Sequence, residues 1–373
     1  MLSRFLYACN IKCIARYNNR FKLLKHSMHT PRLRYFSKPI AILGLLMLPF
    51  ISKSQSTHIE EKGFIKINGI EQWITITGER SKPVIFFLHG GPGSPLSPYA
   101  DALFSGWEKD FILVQWDQRG AGRTFGRTAP EELTPAYLKS HPLPLETMTE
   151  DAIKVAEYLA RHLGKSKIIV FGTSWGSVLG IQLAEKRPDL FSAYIGHSQV
   201  VYPSDNLKSA FPKVSKMAIA ANDENALKIL ASIGEPPYDT AKHAGQLLRI
   251  IKKYERLHSK QGPDALLNIS AEYDNEKDSQ HRSDGDDYSF VNFVGDKRFG
   301  VTPMSQPASG LIFQIPIYFI QGNEDILTPK EVSKPYFESI TAPKKEYILL
   351  PETAHGFNPA VIEALLQICR KIK

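Results

Sequence analysis

A mostly parallel, doubly wound α/β sheet interrupted by one helical insertion is the architecture this sequence predicts. Three observations predict it. Short, continuous apolar runs recur at Val84–Leu88, Phe111–Trp116, Ile168–Phe171, Ala193–Gly196, Ile315–Ile320 and Tyr347–Leu350, the pattern of strands buried on both faces. Helical segments alternate with them: an amphipathic one at Met148–Leu163, a buried one at Ser177–Glu185 and a final one from Pro359 onward. Between about Ser198 and Gly310 the strand runs stop, and helical and polar pieces replace them. The expected partition is a leader over 1–56, a core over 57–197 and 311–373, and a cap domain over 198–310. The cap would sit over the carboxyl edge of the sheet, where such sheets bind ligands.

The leader is chemically distinct. The chain of 373 residues has a formal net charge of +8. Residues 1–59 hold ten Lys or Arg and no Asp or Glu; the rest carries 36 basic and 38 acidic residues, a net of −2. The body is therefore near neutral and predicts no nucleic-acid partner. Pro39–Ile51 is apolar, follows Arg32, Arg34 and Lys38, and precedes small polar residues. That is the form of a secretory signal, and it is short for a membrane span. Translation from Met28 would give it an ordinary length; an uncleaved signal anchor and an Arg-rich transit peptide are the alternatives. An exported protein, or one held at a membrane only through this segment, is expected. Cys9 and Cys13 lie in the leader, so cleavage would leave Cys369 alone, with no internal disulfide and no CxxC metal pattern.

Each element then has a local reason. Gly63–Ile76 alternates apolar and polar residues around Asn68-Gly69, which predicts an antiparallel edge hairpin. Val84–Leu88 runs into His89-Gly90-Gly91-Pro92-Gly93, and Phe111–Trp116 into Asp117-Gln118-Arg119-Gly120-Ala121-Gly122-Arg123. Met148, Ala152, Val155, Leu159 and Leu163 share one helical face; Thr147 or Thr149 would cap its start and Gly164 its end. The charged tract 274–287 reads as a solvated loop.

Gly172-Thr173-Ser174-Trp175-Gly176 stands between the Ile168–Phe171 run and the Ser177–Glu185 helix. In the order strand, G-x-S-x-G, helix, that motif is a nucleophile elbow. The turn is so tight that the residues two before and two after the serine must be small, and the helix start offers free N–H groups to developing negative charge. A serine hydroxyl needs a base, and the base needs a partner that fixes its tautomer. Asp325, in Gly322-Asn323-Glu324-Asp325, follows one strand run, and His355, in Ala354-His355-Gly356, follows the next. The order Ser, acid, His is the one this fold uses. Glu324 competes with Asp325 for the acid role, and spacing after the strand favours Asp325. The oxyanion donors are expected to be the N–H of Trp175 and that of Gly91; His89 is expected to bond within its own loop. No cofactor or metal is required.

Together, His89–Gly93, Asp117–Arg123, Gly172–Ser177, Gly322–Asp325 and Ala354–Gly356 resemble the proline iminopeptidase family of α/β-hydrolases, over about residues 60–373. The resemblance implies the α/β-hydrolase fold, a Ser174-Asp325-His355 triad, a helical cap, and release of an N-terminal residue, often proline, from short peptides. It also implies acidic cap residues that hold the substrate's free amine; Glu224, Glu235, Glu255, Glu272 and Glu276 are available, and no motif chooses among them. The rival readings are a carboxylesterase or lactonase on the same triad, and a binding protein that keeps the fold without turnover. Epoxide and haloalkane hydrolysis are disfavoured because those relatives place Asp where Ser174 stands. The oligomeric state is open.

Overall fold

The structure is a computed structural model that describes residues 57–304 and 310–372; the leader expected over 1–56 lies outside the described residues. Strands β1 (His58–Ile67) and β2 (Ile70–Glu79) form the expected hairpin. Asn68 (φ 43°) and Gly69 (φ 85°) both occupy the positive-φ region that a two-residue turn requires. Six further strands follow: β3 (Val84–Leu88), β4 (Ile112–Trp116), β5 (Ile168–Thr173), β6 (Phe191–His197), β7 (Ile317–Gly322) and β8 (Lys345–Leu350). They order as β1-β2-β4-β3-β5-β6-β7-β8. The first two pairings are antiparallel and the rest parallel.

After β3 the chain steps outward to β4, then returns to place β5 on the other side of β3. This reversal is a topological switch point, and the crevice beyond it is where α/β sheets hold ligands. The loop at His89 and the serine at 174 leave the sheet there.

Helices cover both faces. Between β3 and β5 stand α1 (Ala100–Leu103), α2 (Gly122–Arg127), α3 (Pro135–Ser140) and α4 (Leu145–Leu163); α5 (Trp175–Lys186) follows β5. The side chains of β3 divide as the strand period demands. Phe86 and Leu88 join α4 and α5 in one core. Ile85 and Phe87 join Leu103 and, from α11 (Pro359–Lys371), Val361, Leu365 and Ile368 in the other. Helix α10 (Lys330–Ser339) links β7 to β8. Helix α4 ends at Gly164 (φ 64°) as expected, but its N-cap is Pro144, with no side-chain cap bond, rather than Thr147 or Thr149.

Between β6 and β7 lie α6 (Pro203–Ala220), α7 (Glu224–Ile233), α8 (Ala241–His258) and α9 (Glu276–Val294). Helices α6, α7 and α8 close a small core of their own around Val214, Leu230, Leu247 and Ile251. The charged tract 274–287 is not a solvated loop: most of it is the first half of α9, started by Asn275, whose side chain accepts the Asp278 N–H. Gly285 and Ser289 let α9 lie directly on the body. A Cβ at Gly285 would stand 2.9 Å from the Gly120 carbonyl, and Ser289 Oγ donates to that carbonyl at 2.8 Å. The tract misleads because its charges do not all face water: Asp278 and Asp287 are buried, and Asp278 pairs with Arg123.

Candidate active site

Ser174 sits at the turn between β5 and α5 with φ 50° and ψ −123°, a conformation that costs on the order of 1–3 kcal/mol and persists only where the surroundings enforce it. They do. A Cβ on Gly172 would stand 2.4 Å from the Gly176 carbonyl oxygen, and one on Gly176 would stand 2.0 Å from that of Leu88. The Ser174 N–H donates to the His197 carbonyl at 2.9 Å, and its own carbonyl accepts the Ser177 N–H at 2.8 Å. Both main-chain groups of Ser174 are thus held, one from β6 and one from α5.

Ser174 Oγ lies 2.8 Å from His355 Nε2, and His355 Nδ1 lies 3.2 and 3.1 Å from the two carboxylate oxygens of Asp325. A carboxylate only accepts, so the Nδ1 proton points at Asp325 and Nε2 is left to take the serine proton. Asp325 is 1% exposed. Its oxygens also accept the Thr328 N–H and hydroxyl, each at 2.7 Å. Burial pushes the Asp325 carboxyl up, but the His355 charge, with hydrogen bonds from His355 and Thr328, outweighs it and holds the group below its ordinary range. Burial pushes His355 down, and the Asp325 charge and hydrogen bond overcome that and raise it. The structure thus brings together the three side chains expected from the sequence. Glu324 instead accepts from Asn323 Nδ2 at 2.6 Å and does not face the histidine.

The loop after β3 lies against the serine. A Cβ on Gly90 would meet Ser174 Cβ at 3.2 Å, and Gly91 takes φ 110°. His89 bonds within its own loop, as expected: Nδ1 donates to the Gly90 carbonyl at 2.9 Å and Nε2 accepts the Gln118 N–H at 3.1 Å. Burial pushes its pKa down to about 4, so the ring stays neutral and keeps that pattern. Gln118 carries a function that its motif did not announce. Its Nε2 donates to the His89 carbonyl at 3.0 Å, and its Oε1 accepts Trp175 Nε1 at 3.1 Å. One side chain therefore ties the loop bearing Gly91 to the residue bearing the Trp175 amide.

The rest of the Asp117–Arg123 motif is a frame. Asp117 accepts from the Ser97 hydroxyl and from the Arg123 N–H, the latter at 2.8 Å. Arg119 reaches buried Asp151 of α4 at 2.7 Å. Arg123 lies between the rings of Trp73 and Tyr273, 4.6 and 4.0 Å from their centroids, and pairs with Asp278 of α9 at 2.8 Å.

The candidate cap carboxylates separate. Glu272 pairs with Lys62 of β1 at 2.7 Å and with Arg123. Glu255 of α8 is buried and accepts the N–H groups of Ile326 and Leu327, directly after Asp325. Asp286 of α9, which the sequence did not single out, accepts from the Ser94 hydroxyl of the Gly91 loop, and burial pushes its pKa up. Thr328 was also missed; no motif marks it.

Residues 83–358 match the family described as alpha/beta hydrolase fold. Two curated relatives are a probable aminopeptidase of Bacillus subtilis and a probable proline iminopeptidase of Streptomyces coelicolor. The first is 28% identical over 306 residues, 78% of this chain and 89% of that one. The second is 30% identical over 156 residues, 40% of this chain and 44% of that one. The crystal structure of a proline iminopeptidase from Mycobacterium smegmatis superposes with a TM-score of 0.58 at 16% identity, covering 84% of this chain and 98% of that one, a likeness of fold. With three quarters of its length matched and its site at the carboxyl edge of the sheet, the chain is a hydrolase that belongs to the alpha/beta hydrolase fold family.

Proposed function

We propose that the chain is a serine hydrolase that works through an acyl-enzyme on Ser174, with His355 as base and Asp325 as its orienting acid. The observation that carries this is the unbroken relay from Ser174 Oγ through the His355 ring to a buried carboxylate. In the first step Ser174 Oγ bonds to the substrate carbonyl carbon as its proton passes to His355 Nε2. The Gly91 and Trp175 amides hold the oxyanion, and losing such a donor costs about 2.7–4 kcal/mol of barrier. Collapse breaks the bond to the leaving group, which takes the proton from Nε2. Water then attacks the acyl ester by the same route, and Ser174 regains its proton.

The leading substrate is a short peptide with a free N-terminal residue, proline foremost. The names of the two curated relatives support it. So does Asp286, an acidic cap side chain beside the Gly91 loop, suited to a substrate ammonium. Proline β-naphthylamide and p-nitrophenyl acetate assayed side by side test this. Preference for the amide, with Asp286→Asn raising its KM and leaving the ester unaffected, is the expected result. Preference for the acetate, indifferent to Asp286, favours the carboxylesterase or lactonase reading; a folded protein that turns over neither and does not react with a fluorophosphonate favours the binding-protein reading. Export or membrane anchoring through residues 1–56 is part of the proposal. Fractionation of cells expressing the full chain and a chain starting at residue 57 checks it: the first is expected outside the cytosol and the second within it.

A further inference from the structure

The loop that carries Asp325 is held from the cap. Asp325 faces His355, but Ile326 (1% exposed) is buried with Leu247, Ile250, Ile251 and Tyr254 of α8 in the core of the α6–α8 bundle. Glu255 follows Tyr254 and is 6% exposed. Its Oε1 accepts the N–H of Ile326 at 2.8 Å and that of Leu327 at 3.1 Å. No Lys or Arg among the described residues pairs with it. A buried carboxylate without a cation is costly, and the donors that compensate it belong to the triad loop rather than to its own helix. The charges that act on it are Asp325 on the loop after β7 and His355 on the loop after β8; Lys252, a turn back on α8, acts on His355, and buried His197 of β6 interacts with both His355 and Asp325.

We infer that Glu255 is a positioning residue of the triad, which clamps the 325–328 turn from the cap and sets a second negative charge behind His355. The inference rests on the serine hydrolase reading. The clamp fixes where Asp325 points, because the two N–H groups it holds adjoin the acid. The charge favours the imidazolium that forms as Ser174 attacks, and it also raises the pH above which the ring is neutral and able to accept the serine proton. Consistent with this closeness, burial and the Asp325 charge push Glu255 up to about 7, and His355 opposes them. Glu255, Asp325 and His355 therefore titrate as a cluster.

Two variants separate the parts. Glu255→Gln keeps an oxygen for both N–H groups and drops the charge; Glu255→Ala drops both. The readout is the rate at which a fluorophosphonate labels Ser174 between about pH 5 and pH 9, since that limb reports the base, with melting curves confirming that each variant is folded. For Glu255→Gln the acid limb should move to lower pH, by on the order of half to one unit. For Glu255→Ala the plateau rate should also fall, on the order of tenfold. A Glu255→Gln profile that superimposes on the parent's, or a Glu255→Ala effect confined to the melting temperature, overturns the inference. A parent protein that is folded yet never labelled overturns the serine hydrolase reading and this one with it.

Discussion

Ser174 is the position where local rules are broken most openly. It takes a positive φ that residues with a Cβ avoid, and two glycines exist to allow it. Its hydroxyl bonds His355, while main-chain groups hold the turn. Ser174→Ala should therefore abolish turnover and move the melting temperature by less than a few degrees, read by activity and calorimetry on one preparation. Asp325 is different. It satisfies His355 and both donors of Thr328 from inside the protein, so Asp325→Asn disturbs the histidine tautomer and the turn together. A fall in kcat of about 10⁴-fold is expected, with a lower melting temperature that Ser174→Ala does not share. The sequence exposed these residues because a tight turn restricts its neighbours to small types and because strand ends announce themselves. It could not expose Thr328 or Gln118, whose roles arise only when distant loops meet.

At the scale of elements, the Asp117–Arg123 motif acts through helices, Arg119 on α4 and Arg123 on α9. Asp151 of α4 is fully buried and accepts Arg119 together with Asn68 and Gln72 of the edge hairpin. Asp151→Ala leaves a partly buried guanidinium and a buried amide unmatched. Loss of about 3–5 kcal/mol is expected, measured by denaturant unfolding, with kcat per folded molecule little changed. Helix α9 supplies the opposite case. Asp287 is 8% exposed, and burial, with the charges of Asp286 and Asp284, pushes its pKa up to about 7. The folded protein holds that proton more tightly than the unfolded chain, so the group costs stability as pH rises from the ordinary carboxylate range to about 7. Asp287→Asn should therefore melt higher than the parent at pH about 8, and the gap should narrow as the pH falls below about 7 and close below about 4. That helix was illegible in the sequence: its run of charges hides Gly285 and Ser289, the small residues that decide how it packs.

In the whole molecule, one chain reversal between β4 and β5 opens the crevice, and everything chemical gathers at it. The fold class and the triad were legible because both follow from strands that end in turns of restricted composition. The helical insertion between β6 and β7 was legible only as an interval without strands; which of its carboxylates reach the loops that carry Gly91 and Asp325 depended on how α8 and α9 pack, and Asp286 and Glu255 emerged where Glu272 did not. The central claim is a proton relay through three residues far apart in sequence. Intact-mass and peptide mass spectrometry after a fluorophosphonate reaction tests it most directly. The account predicts a single adduct, on Ser174, absent from Ser174→Ala and slowed at least about 100-fold in His355→Ala. A folded protein that remains unmodified, or an adduct carried on another residue, contradicts it.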